Sequence, residues 1–66
     1  MKNNIKVLRA MHSLTQSDLA GKLGVSRQTV NAIETGRFNP SALLALKISR
    51  VFGVSVNDIF ELEEGD

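Results

Sequence analysis

Apolar positions fall in short clusters separated by capping residues and glycines, and almost nothing in the first sixty residues alternates with the two-residue period of a strand. This spacing predicts an all-α chain of five helices. The first runs from Asn4 to His12, with Ile5, Val7, Leu8 and Met11 assigned to an apolar side and Lys6 opposite, Met11 being counted as core and His12 as a cap on the helix end. Thr15 is placed to cap the second helix, with Asp18 three residues on as a short-armed capping box, and Gly24 ends it. Ser26 caps a third helix that reaches Thr35 and is closed by Gly36. After the loop Arg37-Phe38-Asn39-Pro40-Ser41, a fourth helix covers Ala42 to Phe52 and stops at Gly53. Ser55 caps a last helical turn carrying Val56, Ile59 and Phe60.

The stretch from Gln16 to Thr35 carries the most information. Two short helices joined by a glycine turn are the supersecondary signature of a helix-turn-helix, and Leu19, Ala20, Gly24, Val25, Val30 and Ile33 all occupy positions that fit it. Projected at about 100° per residue, the third helix puts Thr29, Val30 and Ile33 on one arc. Arg27, Gln28, Asn31, Ala32 and Thr35 fall on the other. A merely solvated helix face tends to carry Glu and Lys four apart, whereas this arc holds fork-shaped donors and acceptors. Arginine matches guanine O6 and N7, and Gln and Asn match adenine N6 and N7, so Arg27, Gln28 and Asn31 are candidate DNA base contacts. Glu34 is an acid where a duplex would repel it, and Arg9 on the first helix is expected to neutralise it in a structural ion pair.

Charge sharpens this reading. The net charge is only +1, but residues 1 to 57 hold all eight bases against two acids, and the last nine residues hold five acids and no base. A basic body suits a polyanionic partner, and the acidic tail, residues 61 to 66, is expected at the pole away from the third helix. The segment Phe60-Glu61-Leu62-Glu63 alternates, so a minor β pairing with Met1 to Asn3 is open, with a frayed, solvated tail as the preferred expectation.

Composition excludes other classes. With no cysteine and one histidine, neither a disulfide, a thiolate nucleophile nor an ordinary metal site can be assembled, and there is no Gly-rich phosphate cradle. No enzyme activity, metal or cofactor is expected. At 66 residues the chain is read as one domain, 1–66, without a membrane span or signal peptide, and cytoplasmic.

Leu14-Thr15-Gln16, Leu19-Ala20, Leu23-Gly24-Val25-Ser26, Ile33-Glu34, Gly36, Pro40-Ser41 and Gly53-Val54-Ser55 together resemble the Cro and phage-repressor-like helix-turn-helix regulators, also called the xenobiotic-response-element type. The length and the closing Ile59-Phe60 are similar to short stand-alone members such as the cytolysin repressor. The resemblance implies a five-helix, lambda-repressor-like DNA-binding domain with its third helix in the major groove. It implies phosphate contacts from Gln16, Ser26, Arg37 and Asn39, and a sequence-specific transcriptional regulator of double-stranded DNA that represses from a two-fold operator as a homodimer. Val56, Ile59 and Phe60 are the expected dimer surface, and Leu43, stranded between Lys47 and Arg50, is a further apolar position at the surface. The alternative is an antitoxin or protein-partner module that autoregulates through the same domain, docking its partner on Leu43 or the acidic tail.

Overall fold

The computed structural model describes all 66 residues, in the order β1 (Lys2–Asn3), α1 (Ile5–Met11), α2 (Gln16–Leu23), α3 (Arg27–Glu34), α4 (Ala42–Phe52), α5 (Val56–Ile59) and β2 (Phe60–Glu61). The boundaries of α2, α3 and α4 have local causes. The α2 N-terminus is a complete capping box: the Asp18 amide donates to Thr15 Oγ1 at 3.0 Å, and the Thr15 amide donates to Asp18 Oδ2 at 2.9 Å. Ser26 and Ser41 cap α3 and α4 by accepting from the amides of Thr29 and Leu44. Ser55 stands at the N-cap of α5 but makes no such bond; its hydroxyl donates to Asp58 Oδ2 instead. Gly24 and Gly53 close α2 and α4 in the left-handed region, with φ of 73° and 68°.

Twelve apolar residues drawn from every helix and from β2 form one buried cluster, with Ile5, Leu19, Val30, Ile33 and Ile48 almost wholly enclosed. In α1 the expected apolar side divides. Ile5 and Leu8 are buried, but Val7 and Met11 are exposed, Met11 to 73%. At about 100° per residue Val7 projects well away from Ile5 and Leu8, whereas Met11, one turn after Leu8, is the last residue of the helix and is left in solvent there, so Met11 is not core. His12 stands at the C-cap of α1, with its ring edge-on to Phe52 at 5.2 Å.

The chain ends pair rather than fray. β1 and β2 are antiparallel, Lys2 opposite Glu61 and Asn3 opposite Phe60. The acidic tail then turns back on the amino terminus, where the Met1 ammonium lies 3.1 Å from a carboxylate oxygen of both Glu63 and Asp66. Of the tail's acids, Glu63 lines an open cleft with Glu34, Thr35 and Gly36 at the C-terminal end of α3, which differs from the expected place at the pole away from that helix. Ile59 and Phe60 are 2% and 8% exposed, packed into the chain's own core, and only Val56 remains partly accessible. No helix is long and apolar enough to cross a membrane.

Candidate nucleic-acid interface

The last turn of α3 is held by groups from two other segments. Arg9 on α1 meets Glu34 in the last turn of α3 through two hydrogen bonds, Nε to Oε2 at 2.8 Å and Nη2 to Oε1 at 3.0 Å. Its remaining nitrogen, Nη1, donates to the Leu14 carbonyl just before α2. The carboxylate beside it pushes the Arg9 guanidinium further above its already high ordinary value. Asn3, on β1, donates from Nδ2 to the Ile33 carbonyl at 2.9 Å, a second bond to a carbonyl near the end of α3 that also accepts from the Gly36 amide. No sequence pattern marks Asn3 for this task, because the contact spans 30 residues.

Arg27, Gln28, Asn31 and Arg37 line one open depression, and no apolar or acidic residue contributes to it. Arg27, Gln28 and Arg37 are exposed, and Asn31 is half-buried. Candidates from two elements thus meet: three side chains of α3 and one from the loop that follows. The loop residue is steered locally. Arg37 Nε donates to Thr35 Oγ1 at 3.1 Å, while the Thr35 hydroxyl donates to the Asn31 carbonyl, leaving both terminal guanidinium nitrogens of Arg37 free of protein partners.

The remaining candidates are distributed around this depression. Gln16 opens α2 and reaches across the turn, its Nε2 donating to Asn31 Oδ1 at 3.1 Å, so a residue expected on the DNA backbone is bonded to one expected on a base. Ser26 is exposed, but its hydroxyl already serves the α3 cap and lies 2.9 Å from the Thr29 hydroxyl, which leaves its backbone amide as the more available anchor. Asn39 is exposed in the loop before α4. Away from this face, α4 presents Leu43, 66% exposed, and Leu46 beside Lys47 and Arg50. Leu46 joins Leu43 because the two lie three residues apart on one side of the helix.

Every side chain that lines the depression carries hydrogen-bond donors, and none is an acid that would repel an anion. Two arginines and two amides offer donors to phosphate oxygens and to guanine, and the amides offer the mixed donor and acceptor ends that adenine requires.

Comparison with known proteins gives a consistent pattern. A family model described as helix-turn-helix matches residues 5–59. The chain is 58% identical over 66 residues, all of both chains, to an HTH-type transcriptional regulator of Methanocaldococcus jannaschii. It is 52% identical over 64 residues, 97% of each chain, to the HTH-type transcriptional regulator YgzD of Bacillus subtilis. It is also 41% identical over 56 residues to the antitoxin PezA of Streptococcus pneumoniae, covering 85% of this chain and 35% of that protein.

Proposed function

The chain belongs to the helix-turn-helix family, of the Cro and phage-repressor type of DNA-binding transcriptional regulators, and on that footing we propose that it is a sequence-specific repressor that occupies a two-fold operator as a homodimer. The observation that carries this reading is the acid-free set Arg27, Gln28, Asn31 and Arg37 gathered on one outward depression. In it Arg27, Gln28 and Asn31 meet base edges in the major groove, and Gln16, Ser26, Arg37 and Asn39 anchor on phosphates. An eight-residue helix reads few base pairs, so two copies are required, with their α3 helices about 34 to 36 Å apart, one turn of the duplex. Val56 contributes to the contact between copies, with Ile59 and Phe60 supporting it from beneath. The bound dimer blocks polymerase, and it acts in the cytoplasm.

The test is a binding isotherm at several salt concentrations on sites recovered from a random duplex pool. A dimer neutralising on the order of 4 to 6 phosphates gives log K falling against log salt with slope about −4 to −5. A flat line, or a pool that yields no shared sequence, rejects the reading.

A second reading is favoured by one observation, the exposed Leu43 and Leu46 on α4, together with the likeness to an antitoxin. Under it the same domain also docks a protein partner on α4. Copurification of a second protein from native extract, lost in Leu43→Asp, supports it, and isolation of the chain alone counts against it.

A further inference from the structure

We propose that α4 carries a docking face for a second copy of this chain, and that the segment it receives is the acidic tail around Leu62. On α4, Leu43, Leu46, Lys47 and Arg50 line one open depression, and all four are exposed, the two leucines to 66% and 61%. Their spacing puts them on one side of the helix. Neither Lys47 nor Arg50 forms an ion pair within the chain. Two cations alone would suit a phosphate backbone, but the leucines beside them would then stay in water, so the face fits an occupant that is apolar and acidic at once.

The tail has that composition. Leu62 is 76% exposed, the most exposed of the chain's large apolar side chains, and it stands among Glu61, Glu63 and Glu64. Glu63 is engaged by the Met1 ammonium, whereas Glu61 and Glu64 form no ion pair. The ammonium contacts hold the tail beside Glu34, Thr35 and Gly36, in a cleft that shares no residue with the α4 depression, so the tail that fills this face comes from another copy. The α4 depression also shares no residue with the one on α3, and the inference does not rest on the operator reading. A single leucine seated between two others buries far less than the roughly 1,000 Å² of a stable interface, so the contact is weak, with Kd on the order of 1 mM. It adds to the contact at Val56 and does not replace it.

Two complementary variants separate the halves of the contact in a magnetic-resonance titration. An isotopically labelled Leu62→Ser chain keeps the α4 face and lacks the tail's anchor, and an unlabelled chain carrying Leu43→Ser and Leu46→Ser keeps the tail and lacks the face. Every substituted side chain is exposed, and the proton spectrum of each chain checks its fold. Adding the unlabelled chain is expected to shift the labelled amides from Leu43 to Arg50 progressively, with half the effect on the order of 1 mM, whereas adding unlabelled Leu62→Ser leaves them in place. Lys47→Glu with Arg50→Glu in the labelled chain is expected to weaken the effect about tenfold, and Glu61→Lys with Glu64→Lys in the added chain to restore it. Shifts on α5 common to both additions belong to the Val56 contact. Amides of α4 that move equally with both added chains overturn the inference, and so does a shift indifferent to the charge reversal. Amides that stay fixed overturn it too, and leave the leucines of α4 to a partner protein.

Discussion

Arg9 and Glu34 lie 25 residues apart in the chain and face each other through a two-pronged ion pair, with their side chains only 15% and 7% exposed. The pair joins the helix that opens the fold to the last turn of the helix that presents the candidate DNA-reading side chains. It also cancels an acid on α3. Such pairs are strongly destabilising when half-removed, because the surviving charge is left without a partner in a poorly solvated place.

Arg9→Met is therefore expected to lower stability by about 2 to 4 kcal/mol, toward the lower part of the usual range because Arg9 keeps some contact with water. Combining it with Glu34→Leu is expected to recover most of that loss. Urea midpoints of the two variants check this, and an unchanged midpoint in the single variant removes the structural role assigned to the pair.

Gln28 and Arg37 should behave differently in DNA binding. Gln28→Ala is expected to lose about 1 to 3 kcal/mol of discrimination at one base step in each half-site. Arg37→Ala is expected to weaken all sequences about equally, and to make the salt slope of a dimer shallower by about 2, one phosphate per copy. Measuring both variants on matched and mismatched sites separates base reading from anchoring, and identical profiles would rule out the assignment.

The α2 capping box carries a pH signature. The Thr15 amide, and after it the Thr15 hydroxyl, hold the Asp18 carboxyl below its ordinary range. A carboxylate with a depressed folded value stabilises the fold above its unfolded value and loses that contribution as pH falls through the folded one. Stability is thus expected to drop on acidification from about pH 4 downward, and Asp18→Asn should flatten that part of the curve. Thr15→Ala should cost about 1 kcal/mol at neutral pH. Thermal unfolding across pH 2 to 7 tests both.

Backbone handedness gives a pair of opposite outcomes. Gly24, in the turn between α2 and α3, has φ of 73° and open space where a Cβ would stand, so Gly24→Ala is penalised by backbone strain alone, about 1 to 2 kcal/mol. Ser13 adopts φ of 55° with a side chain present. Ser13→Gly is expected to be neutral to stabilising by up to about 1 kcal/mol, the relief of strain outweighing the added freedom of the unfolded chain. Denaturant titration of each variant decides, and a stabilised Gly24→Ala would contradict the strain account.

The dimer contact is best probed at Val56. Aspartate at Ile59 or Phe60 would place charge in the protomer's own core and unfold it, whereas Val56 is partly accessible. Val56→Asp is expected to halve the sedimenting mass while leaving the helical circular dichroism intact, and to weaken operator binding. A mass equal to that of the wild type would move the contact to another surface, such as the exposed leucines Leu43 and Leu46 of α4.

Helices α2, α3 and α4 were legible because their bounding residues have local preferences: Thr15 with Asp18, Ser26, Ser41, and the glycines at 24 and 53 act within a few residues of themselves. The reading arc of α3 followed from helical geometry in the same way, since eight consecutive residues decide which side chains share a side. Contacts between distant segments had no such local signature. Whether Phe60 turned inward or outward depended on β1 pairing with β2, and Asn3 opposite Phe60 is a register that neither segment specifies alone. Val7 stayed in solvent because it projects away from the side of α1 that Ile5 and Leu8 bury, and Met11 because α1 ends there. Gln16 reached Asn31 only because the turn brings α2 and α3 together, fifteen residues apart in the chain. Capping and periodicity are properties of neighbours in sequence, so the chain alone determined its helices and the kind of surface α3 carries. Burial and hydrogen-bond partnership depend on which segments share space, and those the tertiary structure decided.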